Sequence, residues 1–428
     1  MLEKVSLFEY RRDYIALVLL FLLLSSLSLA YEYYNYKELT KFDSQLVTAT
    51  VLKQYTKSKL KKSGKRKTYQ VLKLKSEDGF TFYTTASKNL ENIKAREVQL
   101  EVWARKISFF EYMRSFYAFS KILQIYPDND YKTKLNNAIA KQHEDEDISL
   151  IYQALYTAKQ LPYHLQKKLS ELGLSHLVAI SGFHLGVLST LLFFLLKYPY
   201  KFLQRHLFPY RSYKRDSFTI IAIVLLGYLL FLDQPPSLLR AYVMLVVGFI
   251  LYERHVEILS MQTLSLTILL ILALYPRLYF SVGFWLSVSG VFYIFLFLIH
   301  FQNLNRYEQF LLLPLWIYFF MLPYSLILFG NFSLYHPLSI VLSSLFTLFY
   351  PLSILLHTIG HGDLLDPLLL KLISLDTEGI KLTITKLWFI PIILFSLLSI
   401  FRKKVLILLT LTLFLLYFSL IYTIYNMT

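Results

Sequence analysis

The 428-residue sequence contains no cysteine. That excludes a disulfide framework and any thiolate metal site. The chain is also poor in charge: Asp, Glu, Lys and Arg make up 17% of it, against an apolar share of 56%. A soluble chain of this length would divide into two or three domains, each with a polar surface. No Gly-x-x-x-x-Gly-Lys-Ser/Thr loop occurs, which excludes a P-loop site for ATP. Negative charge is the scarcer sign, 28 acidic residues against 44 Lys and Arg, leaving a formal +16. That balance points to anionic partners, either lipid headgroups or a polyanion such as nucleic acid.

What the sequence has instead is long apolar runs. Met1 to Tyr14 carries Lys4, Arg11 and Arg12 and leads into an apolar stretch ending at Ala30, a membrane anchor with a cytoplasmic N-terminus. A signal peptide cleaved after Ser28-Leu29-Ala30 is the competing reading. From His176 onward, blocks long enough to cross about 30 Å of hydrocarbon recur. They fall near 176–196, 218–232, 237–252, 260–275, 279–299, 310–329, 336–356, 386–401 and 404–425. The 35 Phe and 34 Tyr suit lipid-facing and interfacial surfaces. The expected fold is a polytopic α-helical membrane protein of about 9–10 transmembrane helices.

Residues 31–172 form the one soluble-looking region. Alternation at Val47, Ala49 and Val51, at Phe80 and Phe82, and at Val98, Leu100 and Val102 predicts strands, with Asp78-Gly79 as a turn. Four or five short strands suggest a small N-terminal β-barrel of OB type. After Ile107 the pattern turns helical, through Phe109 to Tyr126 and again from Ile148 to Leu172. The expected division is a tip and anchor (1–34), an extracytoplasmic β domain (35–110), a helical connector (111–172), a transmembrane core (173–356), an interfacial amphipathic segment (357–385) and C-terminal helices (386–428). The joint 197–217, with Lys197, Lys201, Arg205, Arg211, Lys214 and Arg215, is the best cytoplasmic loop. Alternation from there places Arg402-Lys403-Lys404 outside, against the positive-inside rule. Either the rule fails at this short joint or one upstream block fails to span fully; the second is preferred, because residues 180–186 and 233–236 could break helices at membrane depth and line a polar cavity.

Three features carry chemistry. Lys57, Lys59, Lys61, Lys62, Lys65, Arg66 and Lys67 crowd one expected hairpin loop; such a run either stays solvated, lies on anionic lipid, or meets a polyanion that releases its counterions. The segment Gly173 to Gly186 puts His176, Ser181, Gly182 and His184 in an apolar context, which is costly unless they face protein or water. His176 and His184, eight apart, would share a helical face. Pore lining, a metal site, a Ser181 nucleophile with a histidine base, and plain helix packing are the readings left open there. Third, Arg240 lies one turn inside its span, with Asp233 a natural partner across Pro235-Pro236; an ion pair and an anion path compete. His357, His361 and Asp363 have only loose ligand spacing, and no metal or other cofactor is expected.

In these segments the sequence resembles the ComEC family of competence proteins. The resemblance rests on Gly173-Leu174-Ser175-His176-Leu177 with Ala179-Ile180-Ser181-Gly182-Phe183-His184-Leu185-Gly186, then Pro236-Ser237-Leu238-Leu239-Arg240-Ala241, then Val282-Gly283-Phe284-Trp285-Leu286-Ser287. It implies an inner-membrane channel passing single-stranded DNA into the cytoplasm during natural transformation. It makes the segment around Ser181 a pore-lining or helix-break element, Arg240 a phosphate contact, and the Lys57 loop an outer DNA-capturing surface. Tyr55, Tyr69, Phe80, Phe82 and Tyr83 are then candidate stacking rings.

Two departures matter. Trp285 stands where many members carry Gln, which removes a polar pore contact. No His-x-His-x-Asp-His pattern of the family's metallo-β-lactamase-like domain occurs, so this is expected to be a short form without catalytic activity. Expected partners are single-stranded DNA, membrane lipids, a cytoplasmic motor or strand-binding protein, and a periplasmic DNA-binding protein. The rivals are a transporter or flippase for another anionic polymer or lipid, and an intramembrane serine hydrolase.

Overall fold

A computed structural model of the chain describes residues 11–60, 66–94, 96–126, 131–256, 258–377, 380–381 and 386–425. The chain forms two units, Tyr10–Lys134 with Leu269–Ser281, and Leu135–Ile268 with Val282–Thr428.

The first unit starts with α1 (Arg11–Thr40), whose run from Tyr14 to Ala30 contains neither Gly nor Pro. Uninterrupted Leu, Val and Ala favour helix, and about 1.5 Å per residue makes it long enough to cross a bilayer. Its last turns join a protein core instead: Leu39 is buried among strand residues, and the Tyr36 hydroxyl donates to the Ile107 carbonyl at 2.9 Å. The strands are β1 (Gln45–Leu60), β2 (Arg66–Ser76), β3 (Thr81–Ala86) and β4 (Glu97–Trp103), followed by the short α2 (Phe109–Arg114), β5 (Phe116–Tyr117) and β6 (Phe119–Ile125). Alternation decides their faces. Val98, Leu100 and Val102 are sealed inside, whereas Glu97 and Trp103 face out. The six-stranded sheet has the order β5-β3-β2-β1-β4-β6, with β3 and β5 parallel.

Here the structure corrects the expected connector. Residues 116–125 are strands, and the β region continues to Ile125. The helical signal ends with α2, capped by Ser108 and Glu111, and Ser115 is extended. The aromatic and β-branched residues that follow favour strand. Their alternation is weak in the sequence because β6 leaves most of its side chains exposed.

A half-buried ion pair ties the parts of this unit together. Arg277, in the 3-10 turn Pro276–Phe280, donates to Glu32 of α1 at 2.5 Å and to the Tyr112 hydroxyl of α2 at 2.8 Å. Its guanidinium also lies 4.9 Å from the centre of the Tyr112 ring. Removing one member leaves the other charge partly desolvated, so Arg277→Ala is expected to cost about 1–3 kcal/mol. Thermal unfolding of the full chain in micelles measures this. Burial pushes the Tyr112 phenol up to about 12. The linked stability is complete below the ordinary tyrosine value of about 10 and is lost as pH rises toward the shifted one. Tyr112→Phe should remove that alkaline component from the unfolding curve.

The second unit is helical. In chain order it holds α3 (Tyr131–Ala140, entering from the first unit), α4 (Glu146–Thr157), α5 (Tyr163–Glu171), α6 (Ser175–Val178), α7 (Gly182–Leu207), α8 (Tyr213–Phe231) and α9 (Pro236–Glu253). Then come α10 (Met261–Leu274, leading into the first unit), α11 (Val282–His300), α12 (Arg306–Phe329), α13 (Leu338–Thr358), α14 (Asp366–Ile373), α15 (Phe389–Leu398) and α16 (Lys403–Tyr425). Among the described residues, seven helices are long and apolar enough to span: α1, α7, α9, α11, α12, α13 and α16. The expected count of about 9–10 is reached only with three further apolar helices that fall short of that length or composition. α8 opens with Lys214, Arg215 and Asp216, and α10 and α15 have only 14 and 10 residues.

One core joins α4, α5, α6 and α13 through Tyr152, Leu155, Leu169, Leu177, Phe346 and Tyr350. A second joins α11, α12 and α16, where the Trp316 indole donates to the Tyr293 carbonyl at 3.0 Å. The expected interfacial segment contains the short α14, whose Leu368 is exposed while Leu369 and Leu372 pack inward. Residues 378–379 and 382–385 of that segment lie outside the described residues.

Candidate functional site

Backbone geometry builds the site around the first motif. Gly173 ends α5 in the left-handed region (φ +71°), and an added Cβ would stand 2.9 Å from the His336 carbonyl oxygen. The chain makes one turn of helix, α6, and then breaks at Ala179-Ile180-Ser181 before α7 begins. Side chains satisfy the groups that the break exposes. Ser181 caps α7, its Oγ accepting from Phe183 N at 3.3 Å, while His184 Nδ1 accepts from Ser181 N at 3.3 Å. Across the gap the Ser237 hydroxyl donates to the Ile180 carbonyl at 2.9 Å.

The break separates the two histidines expected to share a face. His184 is fully buried, its ring 4.7 Å from that of Tyr350. His176 is exposed, although protein surrounds it densely, and its Nε2 lies 3.0 Å from the Ser343 hydroxyl of α13. Ser343 donates to the Ser339 carbonyl, so it accepts from His176. Ser181 Oγ is within 3.2 Å of His184 Nδ1, which meets the distance a serine nucleophile needs. That nitrogen, however, already serves the helix cap, and the imidazole has no access to solvent.

The second and third motifs close on the first. Asp233 and Gln234 form the α8–α9 turn with positive φ, and Pro236 opens α9 at the position where a missing N–H costs least. Arg240, one turn further and 5% exposed, donates from Nε to Ser287 of α11 at 2.8 Å and from Nη1 to the Met244 sulfur at 2.9 Å. The expected pair with Asp233 does not form. Among the described residues no carboxylate lies within ion-pair distance of Arg240; Asp233 sits in the turn, ahead of the helix that carries the arginine. Gly182 lets α7 approach, for a Cβ there would be 2.9 Å from the Ala241 Cβ and 3.1 Å from Arg240 Nη2. The first two turns of α7, α9 and α11 therefore meet at one guanidinium. Each contributes the partly positive end of a helix dipole.

Two other motif positions behave differently. Gly186 faces open space, with no heavy atom within 4 Å of an added Cβ. Gly283 is exposed in the first turn of α11, and Trp285 is partly exposed two residues on. Among the described residues no group of three His, Cys, Asp or Glu could hold a metal ion.

In the sheet unit, Lys57 is exposed opposite Tyr69, its ammonium 5.7 Å from the Tyr55 ring centre. Lys59 and Arg66 to Lys67 continue the β1–β2 pairing as backbone, and Lys61, Lys62 and Lys65 lie outside the described residues. Phe80 and Phe82 are core residues, stacked on Phe116, and cannot meet a base. Tyr83 belongs instead to a row whose other members the sequence reading missed. Cross-strand register runs Lys53, Lys73, Tyr83, Tyr117, and the Tyr117 ring touches Phe119, the partner of Trp103. Tyr117, Phe119 and Trp103 are exposed, and burial lowers the Lys73 ammonium from its ordinary value.

The sequence model of a family described as Competence protein matches residues 156–424, well over half of the chain, including all three motifs. The chain belongs to this family. No curated protein and no solved structure matches it. Membership makes it a ComEC-family competence protein with a role in DNA uptake. The family match and its apolar helices make it a membrane protein.

Two glycines of α7 provide an internally controlled test. Gly182→Ala must displace Ala241 or Arg240 and is expected to cost about 1–3 kcal/mol by overpacking, with loss of DNA uptake. Gly186→Ala enters open space and should be neutral or stabilising by up to about 1 kcal/mol. Thermal unfolding and transformation frequency of the two variants measure the contrast.

Proposed function

We propose that this competence-family chain is an inner-membrane channel that passes single-stranded DNA into the cytoplasm during transformation. The observation that carries the reading is the meeting of three span N-termini at Arg240, a buried cation bonded to a hydroxyl and a thioether rather than to a carboxylate. Such a place favours a passing phosphate, because dipole ends and a desolvated guanidinium both attract anions. His176 and Gly186, accessible beside the break, are the companion lining positions.

The sheet unit is proposed as the outer strand-binding domain. Its order supports an OB-type closed barrel: β5 and β6, separated by Ala118 alone, pair with β3 and β4 at the two edges. The row sets two cations, Lys53 and the half-buried Lys73, beside the rings of Tyr83, Tyr117, Phe119 and Trp103, which suits phosphates and stacked bases. On this reading the N-terminus is cytoplasmic and the sheet unit extracytoplasmic. The chain performs no catalysis, and movement is driven by a cytoplasmic motor or a strand-binding protein after handover from a periplasmic DNA-binding protein. A transporter for another anionic polymer would share the Arg240 site, and single-stranded DNA is preferred because family membership ties the chain to DNA uptake.

Transformation frequency and periplasmic uptake, followed separately, test this. Arg240→Gln is expected to lower transformation at least tenfold while periplasmic uptake and membrane insertion persist; wild-type transformation in that variant would sink the proposal. Ser181→Asn keeps a competent helix cap and removes the hydroxyl nucleophile. It should transform within a few-fold of wild type, whereas a serine hydrolase would lose its activity. Replacing Tyr117, Phe119 and Trp103 with Ala should weaken single-strand binding by the full chain, about 1–3 kcal/mol per stacked base lost.

A further inference from the structure

The helical unit holds a second polar cluster, away from Arg240, that the channel reading does not use. His143, in the joint between α3 and α4, has no exposed side-chain surface. Its Nδ1 lies 3.0 and 2.9 Å from the two carboxylate oxygens of Asp366, at the start of α14. Its Nε2 faces the Nε2 of His357, in the last turn of α13, at 3.0 Å. The far nitrogen of His357, Nδ1, is 2.7 Å from the Ser353 carbonyl.

Donor and acceptor roles follow from chemistry. A carbonyl only accepts, so His357 Nδ1 carries a hydrogen. An ionised carboxylate only accepts, so His143 Nδ1 carries one too. If both rings were neutral, two lone pairs would then face each other at hydrogen-bond distance. The arrangement needs one additional cation between the two Nε2 atoms. We infer that His143 and His357 form a binding site for a single shared proton, neutralised by Asp366, which holds the α3–α4 joint against the ends of α13 and α14. Moving a hydrogen from His143 Nδ1 onto Asp366 leaves the count unchanged: the three side chains together hold one proton beyond two neutral rings and a carboxylate.

The surroundings are those of a built site. The Tyr152 ring of α4 stacks on His143 at 4.7 Å with the planes 9° apart. The Tyr156 hydroxyl donates to Ser353 Oγ at 2.8 Å, which leaves its oxygen, 3.2 Å from His357 Nδ1, as an acceptor. Tyr228 of α8 reaches the Tyr156 carbonyl at 3.5 Å. Gln142 braces the joint, donating to the His357 carbonyl at 3.2 Å and accepting from Gly362 N at 2.9 Å. Asp366 is the carboxylate that faces the pair, and Asp145 of the same joint is committed to capping α4. A proton is favoured over a metal ion because only two ring nitrogens converge, and no third ligand completes a set among the described residues.

This inference does not depend on the channel reading. Its consequence is a joint that loosens as pH rises, since losing the proton sets the two lone pairs against each other. Where the closed joint binds one proton more than the open one, each pH unit raises the opening equilibrium about tenfold. Hydrogen exchange on the full chain in micelles, with a chelator present, reads this directly. Opening of segments 141–145 and 357–366, corrected for base-catalysed exchange, is followed between about pH 5 and about pH 8, the range in which histidines titrate.

The wild type should show that slope. His357→Gln, which can donate an amide hydrogen to His143 without titrating, should abolish it. Asp366→Asn keeps an acceptor for His143 but removes the neutralising charge, so the slope should move to lower pH. A pH-independent wild type overturns the proposal, as does a slope that survives in His357→Gln. Zinc that suppresses opening at every pH in the absence of chelator would replace the proton with a metal ion.

Discussion

A helix that stops inside an apolar environment exposes backbone groups that water is not there to satisfy, and the second unit is organised around one such stop. Between α6 and α7 the chain needs an acceptor for the amides of the new helix and a donor for the Ile180 carbonyl. Ser181, His184 and Ser237 meet those needs. The small residues have an equally specific reason. Gly173 turns the chain against His336, and Gly182 lets the new helix start beside Ala241. Once that start is fixed, Arg240 sits against it and reaches Ser287, so the third motif is positioned by the first. The residues that carry the family resemblance are thus largely the parts of one helix break and its electrostatic consequence.

Much of this was legible in the sequence, for physical reasons. The anchor, the six other long apolar helices among the described residues and strands such as 98–102 announce themselves through period and length, which depend on neighbours a few residues apart. The break was legible as well, because Ser181, Gly182 and His184 conflict with an uninterrupted apolar helix. What escaped depends on distant residues or on exposure. The face shared by His176 and His184 assumed a continuous helix and vanished with the break. The Arg240–Asp233 pair assumed that nearness in sequence is nearness of charges, yet the arginine turns to α11. Phe80 and Phe82 read as stacking rings by composition, while their alternation with outward residues places them in the core. Tyr117 and Phe119 were overlooked because residues 116–125 read as helix. Their period-two spacing is a signal that could have exposed the error. Asp366 and His143 are more than two hundred residues apart and become partners only through the fold.

Span length follows the same logic. Charges in the first turn of α8 and the brevity of α10 and α15 set these helices apart from the long apolar spans, yet the N-terminal turns of α7, α9 and α11 meet, so α8 and α10 must carry the chain back between them. Short helices next to long ones leave part of a neighbour's surface without a full-length partner. Polar side chains beside the break are tolerable there only where protein or water covers that surface.

The two sets of cations differ in a way that bears on the proposed function. The lysines on the sheet unit are mostly solvated, so a polyanion gains there by releasing counterions, and that gain falls as salt rises. Arg240 has already lost its water and, among the described residues, has found no carboxylate. Its desolvation cost is borne in advance by the fold: Ser287 and Met244 accept two of its hydrogens, while the three partly positive helix ends leave its charge unneutralised. An anion arriving there would replace a missing partner rather than exchange one hydration shell for another, and bulk ions screen a buried charge much less than an exposed one. Capture at the sheet should therefore be salt-sensitive and passage at Arg240 far less so. A carboxylate fixed beside Arg240 would have made the helical unit more stable on its own, but it would have occupied the position a phosphate needs. The absence of that carboxylate is what most distinguishes the site from an ordinary buried ion pair.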